Sequence, residues 1–137
     1  MSELVPAALR DFVRRRAGSR CEYCLIHEEH CTYPHEVDHI ISRKHRGETH
    51  KDNLAWACFV CNRLKGSDIA SIDLETGKLA RLYHPRNDLW NKHFCLKGAR
   101  IVPLTNVGRV TEHLLQLNHS DNLQLRKDLQ AKGLFSP

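Results

Sequence analysis

Two cysteine pairs, Cys21-Glu-Tyr-Cys24 and Cys58-Phe-Val-Cys61, bracket a stretch crowded with histidine, carboxylate and amide side chains. Each Cys-x-x-Cys can form a tight knuckle that aims two thiolates at one ion. Two such knuckles complete the tetrahedral shell of a structural zinc. A redox Cys-x-x-Cys, or two unrelated pairs, is the competing reading. The gap between the pairs exceeds that of a compact zinc ribbon, so a folded element must lie between them. Four thiolates on one Zn²⁺ leave a local charge of about −2, which nearby arginines, Arg20 and Arg63 among them, are expected to offset. Cys31 and Cys95 fall outside this geometry and read as small buried apolar residues. His27, His30 and His35 crowd Cys31, but no spacing there marks a second metal site.

Between the pairs lies a second set of reactive groups. His39, with an ordinary pKa of about 6.5, can take a proton from water at neutral pH. Asp38 and Asn62 offer the oxygen donors that hard divalent ions prefer. Neighbours on a regular strand point to opposite faces, so Asp38 and His39 can serve one site only where the strand bends or ends. The elements that must position them follow from the pattern. Residues 36–41 read as a short strand, and residues 44–52 as a charged loop containing Gly47. Residues 53–57 return as apolar chain, and residues 59–66 form a short helix closed by Gly66. Strand, loop, strand and helix in this order make a ββα unit.

The run Cys-x-x-Cys, Asp38-His39-Ile40, Gly47, Asn53-Leu54 and Cys58-x-x-Cys61-Asn62-x-x-Lys65-Gly66 closely resembles the HNH endonuclease superfamily, the ββα-metal nucleases. The resemblance is dense from Cys21 to Gly66, about a third of the chain. It implies that His39 is the general base, that Asp38 is a metal ligand, and that Asn53 braces the loop and so orients the base. Asn62 stands where the name-giving pattern has histidine. Members with asparagine there still ligate a divalent ion, and the change favours a harder, oxygen-preferring one. The implied fold is α+β: a zinc-stapled ββα-metal (His-Me finger) core with an N-terminal helix, extra β-hairpins and a helical C-terminal extension. A single domain over residues 1–137 is expected, with its motif core at 19–68 and the extension at 105–133. The implied activity is hydrolysis of phosphodiester bonds in DNA, with structural Zn²⁺ on Cys21, Cys24, Cys58 and Cys61 and one catalytic Mg²⁺ or Mn²⁺ on Asp38 and Asn62. The expected partner is double-stranded DNA, held through Arg43, Lys44, Arg46, Arg63 and Lys65, with the protein a monomer or homodimer. The same residues also suit a catalytically silent zinc module that binds nucleic acid, or an RNA- or structure-specific nuclease.

Charge is consistent with such a partner. The net charge is +5, a mild excess, but six basic residues against two acidic ones lie between Arg43 and Lys65. His45 and His50, in the same loop, read as solvated. A content of 41% hydrophobic and 27% charged residues suits a globular chain rather than a disordered one. No apolar run is long enough to cross a membrane. The N-terminal basic cluster follows its apolar residues, the reverse of a secretory signal, so a cytoplasmic, reducing location is expected.

The flanks read as scaffold. Residues 6–17 form an amphipathic helix with Leu9, Phe12 and Val13 inward, and Arg14, Arg15 and Arg16 fan around it, one or two toward phosphate. Hairpins are expected across Glu75-Thr76-Gly77 and Lys97-Gly98-Ala99, with a turn and short helix at 84–90 between them. Two helices follow, joined near residues 118–121, with Val107, Val110, Leu114, Leu117, Leu125 and Leu129 as their packing positions.

Overall fold

The computed structural model describes residues 5–136. The chain divides after Ser67 into two compact units. Both mix helices with small antiparallel sheets, the α+β class the sequence suggests.

The first unit begins with helix α1 (Ala7–Arg16). Val13 is fully buried against Leu54 and Trp56, with Val5 and Leu9 packed at the edge of the cluster. Phe12 does not join it. The ring is 40% exposed and lies beneath the Arg16 guanidinium, 5.1 Å from its carbon. The buried stripe is one side chain wide, and consecutive positions stand about 100° apart on a helix. Each of the three consecutive arginines has a partner within the chain, and Arg14 and Arg15 remain partly exposed. Arg14 pairs with Glu28 and Arg15 with Asp11, while Arg16 donates to the carbonyls of Lys51 and Leu54.

Strand β1 (Glu36–His39) pairs antiparallel with β2 (Leu54–Ala57), with Asp38 opposite Ala55 and His39 opposite Leu54. All four residues of β2 are buried, whereas Asp38 alone is buried in β1. The strand stops short of Ile41 for a local reason. The Ile41 amide and carbonyl bond the Asn53 side chain instead of a ladder partner. Helix α2 (Phe59–Lys65) follows at once; the Cys58 sulfur accepts from the Cys61 amide at its start. Gly66 ends it at φ +50°, a left-handed value that glycine adopts without a Cβ penalty.

In the second unit, β3 (Ala70–Ile72) and β4 (Leu79–Arg81) form one hairpin, and β5 (Phe94–Lys97) and β6 (Arg100–Pro103) another. Helix α3 (Trp90–His93) leads into β5, and α4 (Asn106–Leu114) and α5 (Ser120–Ala131) complete the chain. The hairpins and the two C-terminal helices fall where the sequence places them, whereas the short helix expected within residues 84–90 starts only at Trp90, after a turn over residues 85–87. Val110 packs with Ala80, Leu82 and Leu114. Arg126, on α5, is fully buried and donates to the carbonyls of Ala99 and Leu117 and to Asn118 Oδ1.

Candidate functional site

The four sulfurs of Cys21, Cys24, Cys58 and Cys61 are buried and lie within 4.8 Å of one another. The Sγ atoms of Cys24 and Cys58 are 3.7 Å apart. Zn–S bonds of about 2.3 Å give tetrahedral S···S edges of about 3.8 Å, so the spacing fits a structural zinc. Each knuckle is closed in the same way. The Cys24 amide donates to Cys21 Sγ at 3.4 Å and the Cys61 amide to Cys58 Sγ at 3.3 Å. Sulfurs this close cannot all ionise without a cation among them; hydrogen bonding pulls the Cys58 thiol far down, while Cys24 and Cys61 are pushed up. The arginines expected to offset this charge bond elsewhere: Arg20 to the Leu25 carbonyl, Arg63 to Glu36. Among the described residues no other group of three or more His, Cys, Asp or Glu side chains converges on one point, and Cys31 and Cys95 are half-buried free thiols.

Asn53 ties together both ends of the loop that leaves β1. Its Nδ2 donates to the carbonyls of Ile41 (2.9 Å) and Glu48 (2.8 Å), and its Oδ1 accepts from the Ile41 amide (2.9 Å). Gly47 makes this closure possible, because a Cβ there would overlap the Ile41 carbonyl. The loop carries Thr49, whose Oγ1 lies 2.9 Å from Nε2 of His39. A braced loop thus holds a half-buried imidazole by one ring nitrogen.

Asp38 has a different setting. Its carboxylate is 3% exposed, with Oδ2 accepting from the Tyr23 hydroxyl at 2.7 Å and Oδ1 from Lys65 Nζ at 3.1 Å. Lys65 is 2% exposed and donates also to the His39 carbonyl at 3.1 Å. Burial pushes the Asp38 carboxyl above its ordinary range, against the pull of Lys65 and Tyr23. Burial likewise raises Tyr23, which stays a donor. Glu36, two residues before Asp38, accepts from Asn62 Nδ2 at 3.2 Å and from both terminal nitrogens of Arg63. Hence α2 meets β1 through three polar side chains, Lys65 on Asp38 and the His39 carbonyl, and Asn62 and Arg63 on Glu36, while the His39 ring is held by the loop.

Residues 21–68 match the family model described as HNH endonuclease. The match covers about a third of the 137 residues and holds both knuckles, the braced loop and the β1–α2 links. No curated protein and no solved structure matches the chain. An HNH segment built around a four-cysteine metal site points to a nuclease or nucleic-acid-binding role.

Of the expected phosphate contacts in the HNH segment, Arg43, Lys44 and Arg46 are exposed on the braced loop, and Arg63 is exposed on α2. Lys65 is a correction. Its stem runs inward and its charge is taken up by Asp38, so it presents nothing to a backbone phosphate. A signal for this existed: Lys65 lies three residues after Asn62, on the same helix face. Glu36 shares the face of Asp38 by strand alternation. Tyr23 and Thr49 carried no such signal, because the contacts that matter cross 15 and 10 residues of chain.

Proposed function

We propose that the chain is a metal-dependent endonuclease that hydrolyses phosphodiester bonds in double-stranded DNA. One observation carries the reading: a histidine held by a loop that a single asparagine pins at both ends. That arrangement suits a base whose ring must not rotate. His39 takes a proton from the attacking water; Asn53 acts through the loop and is a positioning residue. The ββα-metal architecture belongs to the same reading, since β1, β2 and α2 follow one another with the zinc knuckles at their edges.

Asp38 and Asn62 are the proposed ligands of the divalent ion. The donor set fits a hard cation: a carboxylate, an amide oxygen and, beside them, the His39 carbonyl that already faces the Lys65 ammonium. A bound Mg²⁺ or Mn²⁺ supplies charge stabilisation at the phosphate and the leaving oxygen. Arg43, Lys44 and Arg46 attract and align the backbone from the loop, and Arg63 from α2.

The test is supercoiled plasmid incubated with zinc-loaded protein and Mg²⁺ or Mn²⁺, beside a His39→Ala variant. Cleavage should fall at least about 100-fold in the variant, with zinc content and circular dichroism unchanged. Equal cleavage by both proteins removes His39 as base. Tight DNA binding by the native protein without cleavage across divalent metals favours the silent zinc module.

A further inference from the structure

The ion pair between Lys65 and Asp38 is buried, and the hydrolysis described above gives Asp38 a role but Lys65 none. Its geometry is that of an occupied cation site. The Lys65 ammonium stands 3.1 Å from a carboxylate oxygen and 3.1 Å from the His39 carbonyl, with the other carboxylate oxygen fixed by Tyr23. These are hard oxygen donors, the set a divalent ion such as Mg²⁺ takes. The neighbouring link on the same pair of elements, Asn62 to Glu36, brings the second proposed ligand to this face of β1.

We infer that Lys65 is a resident counter-cation of the catalytic metal site, holding Asp38 until a divalent ion takes its place. The inference rests on the reading of Asp38 as a metal ligand. With Oδ2 held by Tyr23, the two cations compete for Oδ1 and the His39 carbonyl. A divalent ion within bonding distance of Asp38 stands a few ångströms from the ammonium, where the medium screens repulsion poorly. Lysine suits the task because its charge sits on a flexible four-carbon stem. While in place, it neutralises a carboxylate that would otherwise be buried uncompensated, so the unit can fold before the divalent ion arrives. Once displaced, it sets how much divalent ion is needed.

Two measurements on the full, zinc-loaded chain test this. In the native protein, Mg²⁺ titration followed through lysine side-chain ¹⁵N resonances should shift or broaden the signal of the buried Lys65 ammonium. In Lys65→Met, Mn²⁺ binding read by electron paramagnetic resonance should tighten about tenfold, since the competing charge is gone. The divalent-free variant should also melt earlier than the native protein and recover when Mn²⁺ is added. Native protein that binds the ion with an unmoved Lys65 signal overturns the inference, and leaves the metal reading intact. So does a variant that binds Mn²⁺ no more tightly. If neither protein binds Mn²⁺, the metal reading itself falls and takes this inference with it. Should the variant fail to fold, the resonance titration on native protein decides alone.

Discussion

The two units solve the same problem with different chemistry. The second holds itself together by packing: α4 lays Val110 and Leu114 on Ala80 and Leu82 of the first hairpin, and one buried arginine of α5 ties backbone carbonyls together. The first has short elements and a core of a few large side chains, Val13, Leu54 and Trp56. Around that core it spends charged and sulfur groups inside the fold, namely the four cysteines and the Lys65–Asp38 pair. A region that must hold ions cannot also be a dry apolar core, because the donors that bind a cation are costly to bury without one. The first unit is therefore expected to depend on a metal ion for its stability, whereas the second pairs its buried charges within the chain.

Removing zinc should have the largest effect. Binding at a four-thiolate site is coupled to folding and amounts to roughly 10 kcal/mol at neutral pH. Chelation, or Cys58→Ser, should thus abolish amide protection across residues 21–67 while the second unit keeps its protected amides. Hydrogen exchange read by mass spectrometry shows both at once, and equal loss in the two units would break the comparison.

Arg126→Ala is the converse experiment. It leaves two buried carbonyls without their donor and opens a cavity, so it should cost the second unit about 3 kcal/mol. Zinc retention by the first unit should not change. A metal-release assay run beside thermal denaturation separates the two responses.

The smallest effect concerns acid. Asp73 is held down to about 2, chiefly by the Arg109 guanidinium with help from the Glu75 amide and the Thr76 hydroxyl. Its ordinary carboxyl value is about 3.9. A depressed carboxyl contributes stability above the unfolded value and loses it as pH falls through the folded one, so the window is about pH 4 to 2. Asp73→Asn should flatten the acid sensitivity of the second unit within that window. A variant as acid-sensitive as the native protein would place the sensitivity elsewhere.

The sequence carried the parts of the fold that repeat or punctuate. Both Cys-x-x-Cys pairs, the hairpin turns and the helix ended by Gly66 were readable because local spacing decides them. The order of Asp38, His39, Asn53 and Asn62 likewise marked the HNH segment. Side-chain partnership was not readable. Lys65 on a polar helix reads as a surface charge, and only the approach of α2 to β1 turns it inward. Arg126 sits beside Lys127 on a largely polar helix, where nothing distinguishes the cation that is buried from the one that is exposed. Phe12 erred the other way, an aromatic residue whose helix had already spent its buried face on Val13.

Trp56 has an optical consequence. The chain has two tryptophans, Trp56 in the first unit and Trp90 in the second, so each unit has its own intrinsic fluorophore. Trp56 is 1% exposed, on the strand just before Cys58, with its indole N–H on Glu28 and the Arg10 guanidinium 4.9 Å from its ring. Its emission should therefore be blue-shifted and sensitive to the state of the adjoining metal cluster. In a Trp90→Phe background the protein would report the arrival and departure of its own zinc, without a label.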